Sequence, residues 1–189
     1  MELAAERIPF GPADITIGEG SDAIKLDGKD YLQVEGGEVT ITPSYADENF
    51  IDVGDSRYDA RVTGYEGQVT FTLGQESAKL LQLALAASQS ITDTTSGEVV
   101  GITDAPIGTS MRAKAKRVTI HPRSLPADDK SHDIVIYKMA STGDFSRAYG
   151  IEQGTIAVQL DMFPRDNMDA AKGANFFYTG PQDPNAVTP

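Results

Sequence analysis

The chain has 189 residues, of which 40% are hydrophobic and 23% are charged, and it contains no cysteine. This length predicts a single domain with its own core, and the missing cysteines exclude disulfides, thiolate nucleophiles and cysteine-bound zinc. The net charge of −12 argues against a protein that wraps nucleic acid, because phosphates need Lys and Arg partners. The longest apolar stretch, residues 80–87, is too short to span a bilayer, and the N-terminus lacks a signal-peptide pattern. We therefore expect a protein made in the cytoplasm that contacts no membrane.

Alternating apolar and polar residues predict short, half-buried strands along most of the chain. The clearest runs are residues 68–73 and 155–162, in which every second side chain is apolar. Shorter runs of the same kind are residues 14–17, 38–42, 118–120 and 134–136. Glycines between the runs supply turns. About seven such strands favour an antiparallel sandwich or barrel.

One helix is predicted over about residues 77–88, where strong helix formers follow one another. Its leucines and alanines cover nearly every direction around the axis, and only Lys79 and Gln82 form a polar edge. A helix of this kind is buried on more than one side. We expect one face to pack on the sheet and a second to meet another subunit; the alternative is a helix that plugs the open end of its own barrel. The interface candidates on this helix are Leu80, Leu83 and Leu85.

Three segments read as loops or tails. Residues 44–58 are rich in Asp but contain apolar side chains, so they could order as an extended hairpin on assembly. Residues 91–109 are similar in character, with many Thr, Ser, Gly and Asp. Residues 180–189 predict a polar tail that is ordered only if a neighbour holds it.

Charge is distributed unevenly along the chain. Residues 44–104 contain ten acids and three bases, and a basic stripe with no acid follows from Arg112 to Arg123. Such a distribution favours self-association between opposite patches, although ordinary solvated surface is the alternative for any single charge. The basic interface candidates are Arg112, Lys114 and Lys116.

Residue patterns that carry chemistry are nearly absent. His121 and His132 have no metal-ligand spacing, and the phosphate-loop, dinucleotide and nucleophile-elbow motifs do not occur. Asp52, Asp55 and Asp59 could bind calcium loosely, but they lack the pattern of a dedicated calcium loop. We expect no catalytic residue, no metal and no cofactor.

The order of these features resembles that of phage tail tube proteins, a family that also includes the tube-forming proteins of contractile injection systems. Three segments carry the resemblance. Residues 34–65 form a strand, an acidic loop and a return strand, and residues 67–88 form a strand followed by the single helix. Residues 154–180 resemble a closing pair of strands that ends in Phe176-Phe177-Tyr178.

The resemblance implies an antiparallel β-sandwich or half-barrel with one flanking helix, as a single domain over residues 1–189. It also implies hexameric rings that stack into a tube in the virion tail, through which DNA passes without specific binding. Further partners would be tape measure, terminator and distal tail proteins. A negatively charged lumen would repel DNA phosphates. The hairpin at residues 44–58 would reach the adjacent ring through Asp47, Glu48, Phe50, Asp52 and Asp55.

Two alternatives remain from the sequence. The first is another tail or connector component, such as a tail terminator, a baseplate piece or the tube protein of a contractile system. The second is a ligand-binding β-sandwich, which predicts an aromatic groove and is disfavoured by the absence of Trp.

Overall fold

The structure is a computed structural model that describes residues 11–147, 151 and 154–186. The N-terminus, where we expect no signal peptide, and residues 187–189 of the predicted tail lie outside the described residues. The described strands are β1 (Ala13–Ile17), β2 (Ile24–Leu26), β3 (Gln33–Glu48), β4 (Asp59–Leu73), β5 (Ser88–Thr92), β6 (Val99–Asp104), β7 (Lys116–Pro122), β8 (Ile134–Ala140), β9 (Ile156–Phe163) and β10 (Phe177–Thr179). The helices are α1 (Ala78–Ala84) and α2 (Met111–Lys114). The fold is mainly β and antiparallel, so the predicted fold class is confirmed.

Eight strands form the main sheet, in the order β2-β1-β7-β8-β9-β4-β3, with β10 paired to β8. Strands β5 and β6 form a separate two-stranded sheet. The main sheet curls, and the beginning of β3 returns to β1 and β2. There the Nε2 of Gln33 donates hydrogen bonds to the carbonyl oxygens of Ala13 (2.9 Å) and Leu26 (2.7 Å). The result is a half-barrel whose two end strands meet at one corner.

Gly37 allows this close approach of β3 to β1. A Cβ atom at this position would lie 2.8 Å from the Cδ1 of Ile15 and 3.2 Å from the carbonyl oxygen of Thr70. A larger residue there would require the end of Ile15 to move and would crowd the backbone of Thr70, so glycine favours this close approach.

The core lies inside the curl and is lined by the apolar positions of the alternating runs. The fully or nearly fully buried residues of the two clearest runs are Val69, Phe71, Leu73, Ile156, Val158 and Leu160. Their polar neighbours in the sequence face outwards, as the period of two predicts. Burial of each such side chain contributes about 1.5–3 kcal/mol.

The helix is shorter than the predicted 77–88 and is covered by its own chain. It begins after Ser77, whose hydroxyl accepts a 3.2 Å hydrogen bond from the amide of Leu80, and it ends at Ala84. One side packs on β9, and the other side meets the β5–β6 hairpin. This hairpin occupies most of the segment that we expected to be a loop at 91–109. The chain itself therefore covers the apolar surface of the helix on two sides, and the expected second subunit is not needed to cover that surface.

The predicted acidic loop, residues 44–58, is strand only over its first five residues. Strand β3 continues to Glu48 and β4 starts at Asp59, so only the ten residues between them connect the two strands.

The C-terminal segment is held by the chain itself. The hydroxyl of Tyr137 donates a 2.6 Å hydrogen bond to Asp183, and the Nδ2 of Asn185 donates to the carbonyl oxygen of Ala174 (2.7 Å). The expectation that a neighbour is needed to order this tail is wrong for residues 180–186.

Candidate assembly surfaces

Strands β3 and β4 project beyond the sheet as a two-stranded arm, residues 41–66. The pairing of β4 with β9 stops at Gln68 and Asp161, whereas the pairing of β4 with β3 continues to Glu48 and Asp59. The eight residues from Ile41 to Glu48 span about 26 Å at about 3.3 Å per residue. An isolated two-stranded ribbon is only marginally stable in water, so such an arm gains stability from any surface that covers it.

The base of the arm is anchored to the body of the protein. The ring of Tyr65 lies 5.6 Å from that of Phe176 and 5.9 Å from that of Phe177, measured between centroids. Aromatic pairs at such separations attract each other beyond the area they bury. The contact fixes the direction in which the arm leaves the sheet.

The tip of the arm, residues 49–58, is ordered by its own contacts. The rings of Phe50 and Tyr58 pack edge to face with centroids 5.0 Å apart, and the amide of Tyr58 donates a 2.9 Å hydrogen bond to the carbonyl oxygen of Glu48. Ile51 stands at the apex, 95% exposed, beside a half-exposed Phe50. An ordered loop that presents apolar side chains to solvent is typical of an interaction surface.

Two of the five predicted contact residues in this loop already have ionic partners within the arm. Asp47 pairs with Arg57 (3.1 Å) and Glu48 with Arg61 (2.5 Å). Asp52 and Asp55 are exposed, and no ion pair joins them to any described residue. The structure therefore places Phe50, Asp52 and Asp55 together at the tip, next to Ile51, which the sequence reasoning did not select.

The predicted interface leucines lie elsewhere. Leu80 is fully buried and Leu83 is 9% exposed, so the core of the chain takes up both side chains and the interface prediction is wrong for them. Leu85 is partly exposed, at the point where the helix ends.

Arg112 is also engaged within the chain. Its guanidinium donates hydrogen bonds to the carbonyl oxygens of Pro164 (3.2 Å) and Arg165 (2.9 Å), and it pairs with Asp166 at 3.1 Å. The hydrogen bond from Lys138, aided by the charges of Lys138 and Arg112, lowers the pKa of Asp166. Arg112 thus fastens the chain after β9 to α2, and it is not a free surface cation.

Lys114 and Lys116 instead border a cleft together with Lys79, and we call this site the lysine cleft. Its volume is about 200 Å³, and Leu83, Met139 and Ala140 contribute to its apolar floor. None of the residues that line it is acidic. The polar edge of the helix noted in the sequence, Lys79 and Gln82, faces this cleft.

The solvent face of β3, β4 and β9 is polar and acidic, and we call it the acidic sheet face. Two shallow depressions on it are lined by Thr, Gln and the acids Glu35, Glu38, Glu66, Asp144 and Asp161, with no Lys or Arg among the lining residues. Asp161 accepts hydrogen bonds from Gln68 (3.3 Å), Gln159 (3.4 Å) and Thr142. A surface of this composition repels polyanions.

A polar cluster around Arg117 attaches the C-terminal segment to the sheet. The guanidinium lies 5.8 Å and 5.6 Å from the ring centroids of Tyr137 and Tyr178, and it forms ion pairs with Glu19 (3.3 Å) and Asp183 (3.4 Å). Burial, with the hydrogen bond to Asp183, raises the pKa of Tyr137 to about 12. The phenol therefore remains protonated at neutral pH and acts as a hydrogen-bond donor.

The two histidines differ in environment. The Nδ1 of His121 lies 2.6 Å from the Oδ1 of Asp133, and both side chains are largely buried. His132 is exposed in a turn. Within the described ranges, no group of three His, Asp or Glu side chains could hold a metal ion.

Comparison with known proteins adds no relative: no protein-family model matches the chain, and no curated protein is significantly similar to it in sequence. In the part of the chain that the structure describes, no helix has the length and apolar character needed to cross a membrane.

Proposed function

We propose that the chain is a structural subunit that assembles with copies of itself into the tail tube of a long-tailed bacteriophage. The observation that carries this proposal is the arm, whose strand pairing continues beyond the last pair of β4 with β9 as far as Glu48 and Asp59. Its exposed apolar tip contributes nothing to the core of its own chain. A second molecule that covers this tip removes apolar surface from water, and this favours association.

The open edges of the main sheet support lateral assembly. Among the described strands, β2 pairs only with β1, and β3 pairs only with β4. Away from the corner where Gln33 joins β3 to β1 and β2, these edges present backbone donors and acceptors that a strand of a neighbouring chain can complete. Edge-to-edge joining of this kind would produce a closed ring, for which we propose hexameric symmetry.

The acidic sheet face supports a role as a conduit. If this face lines the lumen of the ring, five acids per subunit border the channel without a cation among them. DNA phosphates would then slide past a surface to which they do not adhere, because binding to nucleic acid requires Lys and Arg. The proposed location is the virion tail, next to tape measure, terminator and distal tail proteins.

Negative-stain microscopy of the purified chain over a range of concentrations tests the proposal, with sedimentation velocity in parallel. Rings and long hollow tubes with sixfold end views are expected. A chain that stays monomeric at every concentration, with and without a crowding polymer, contradicts the proposal.

A second candidate, another tail or connector component such as a terminator or baseplate piece, is favoured by the same arm and open edges. The same micrographs distinguish the two, because only a tube subunit has to stack into long tubes. The tube protein of a contractile system would also form tubes. Binding of a sheath protein to the tubes would distinguish such a protein from a tube protein that has no sheath.

A further inference from the structure

We infer that the tip of the arm of one copy docks into the lysine cleft of a second copy. The inference rests on the proposed self-assembly and names the surface that receives the arm. It joins an acidic, apolar projection to a basic, apolar-floored recess.

The tip combines apolar surface with unpaired negative charge. Ile51 is 95% exposed and Phe50 51% exposed, and they stand directly before Asp52 and Asp55. Arg57 and Arg61 do not neutralise these two acids, because they pair with Asp47 and Glu48 further down the arm. A partner for the tip must therefore supply both an apolar contact and positive charge.

The lysine cleft supplies both. Lys79 and Lys116 have no ionic partner among the described residues, and Lys114 donates one hydrogen bond to the carbonyl oxygen of Ser88. An ammonium group carries three donors, so Lys114 keeps two for a ligand. The cleft has a volume of about 200 Å³, and an apolar cavity of about 150 Å³ accepts a benzene molecule. One phenyl ring or branched aliphatic side chain therefore fits on its floor.

Charge complementarity identifies a second copy as the occupant. The chain carries a net charge of −12, whereas no acid lines the cleft beside its three lysines. Lys116 also borders a second recess that Glu19, Asp22, Asp166 and Asp183 help to line, so Lys79 and Lys114 carry most of the charge argument. The apolar floor of Leu83, Met139 and Ala140 suits the side chains of Phe50 or Ile51 better than a phosphate group. Because tip and cleft are different surfaces of one chain, their contact is heterologous and can repeat from copy to copy.

Crosslinking tests the contact directly, because the natural chain has no cysteine. We would introduce Ser56→Cys, an exposed position of the tip that leaves Phe50 and Ile51 intact, in one preparation and Ala86→Cys, at the border of the cleft, in another. A short bis-maleimide should join the two variants into dimers when they are mixed, and a chain with both substitutions should give a ladder of oligomers. The matched control pairs Ser56→Cys with Asp128→Cys, at an exposed turn. Equal yields with this control, or no product from the first pair, would overturn the inference.

Charge reversal gives an independent test. The triple variant Lys79→Glu, Lys114→Glu and Lys116→Glu in the Ala86→Cys chain should lose the crosslink, while circular dichroism reports a folded protein. Introducing Asp52→Lys and Asp55→Lys into the Ser56→Cys partner should restore it. Reversal of Lys29, Lys130 and Lys172 changes the total charge equally and should leave the yield unchanged. Retention of the crosslink in the first triple variant, or no recovery with the reversed partner, would contradict the docking.

These outcomes separate the docking from the proposed function. Hollow tubes without a crosslink between tip and cleft would reject the docking and leave the tail tube proposal intact. Crosslinked ladders without tubes would support the docking and contradict the tube. Short duplex DNA added before the bis-maleimide should not lower the crosslink yield, and a lower yield would assign the cleft to a polyanion instead.

Discussion

The hydroxyl of Tyr137 donates a 2.6 Å hydrogen bond to the carboxylate of Asp183, and this bond joins the middle of β8 to the C-terminal segment. The same hydroxyl accepts a 2.9 Å hydrogen bond from the Nδ2 of Asn185. Tyr137 therefore contacts the segment at two residues, and Arg117 adds an ion pair to Asp183.

Removal of this hydroxyl tests the attachment. We expect Tyr137→Phe to lower the free energy of unfolding by about 1–2 kcal/mol, because Asp183 and Asn185 each lose a partner. Urea denaturation measures the change, with Tyr58→Phe in the exposed arm tip as the matched control. Equal stability of the Tyr137 variant and the natural chain would show that the hydroxyl does not hold the segment.

The same residue predicts a pH dependence. The pKa of Tyr137 rises from 10 to about 12 on folding, chiefly because burial disfavours the phenolate. The unfolded chain therefore releases the proton first as pH increases, so the stabilisation from this group is complete below pH 10 and is lost between pH 10 and about 12. Urea midpoints measured across this interval should fall less steeply in Tyr137→Phe than in the natural chain.

The corner of the half-barrel provides a test of packing. Gly37→Ala should destabilise the protein by about 1–3 kcal/mol, because the new methyl group lies too close to Ile15 and to the backbone of Thr70. Gly36→Ala is the matched control, since a Cβ there meets nothing within 4 Å. Thermal unfolding of the two variants measures the difference, and similar melting temperatures would contradict the close approach.

Truncation to alanine compares how much Leu80 and Leu85 of the helix region contribute to stability. Leu80→Ala should cost about 2–5 kcal/mol of stability, because it opens a cavity in the core. Leu85→Ala should cost less, since Leu85 is partly exposed. Denaturant unfolding of both variants measures the contrast, and a mild effect at Leu80 would argue against the burial of its side chain in its own chain.

The apex of the arm should matter for assembly and not for folding. Ile51→Ser should leave the stability within about 0.5 kcal/mol, as is usual for surface substitutions, and should reduce the amount of assembled protein. Ile107→Ser is the matched control, because Ile107 is equally exposed on a different surface. Sedimentation velocity measures the assembled fraction, and equal assembly of the two variants would argue against contact through the tip.

The negative charge of the acidic sheet face predicts that assembled protein does not bind DNA. Glu38→Lys with Glu66→Lys should make assembled protein bind duplex DNA, with an affinity that falls steeply as salt increases. Glu98→Lys with Asp128→Lys changes the charge equally on other surfaces and serves as the control. Fluorescence anisotropy of labelled DNA distinguishes them, and equal binding by the two variants would show that total charge matters and not the sheet face.

Local patterns were sufficient for the strands that line the core. Alternation identified β9 and residues 68–73 of β4, and the face that each buries, because the period of two follows directly from strand geometry. The β5–β6 hairpin lacks this alternation, and its exposed strands gave no such signal. A turn signal was available: Asp93 accepts hydrogen bonds from the amides of Thr95 (2.7 Å) and Ser96 (2.9 Å), and Gly97 has a φ of 74°.

Contacts between distant parts of the chain could not be predicted in this way. The sequence placed Lys114 and Lys116 in one basic stripe with Arg112. In the structure Lys79 borders the lysine cleft with these two lysines because α1 packs beside them, whereas Arg112 bonds to the segment after β9 and lies outside the cleft. The sequence predicted that α1 contacts a second subunit, because the apolar surface of this helix is larger than one sheet can cover. The second covering element was a hairpin that the sequence did not reveal.

The order already present in the tip of the arm affects how copies could join. A segment that folds only on binding loses conformational entropy at that moment, and its affinity is reduced accordingly. Here the hydrogen bond from Tyr58 to Glu48 and the ring contact with Phe50 fix the loop within a single chain. Docking would then proceed without refolding, and growth would be governed by subunit concentration and by the formation of the first complete ring.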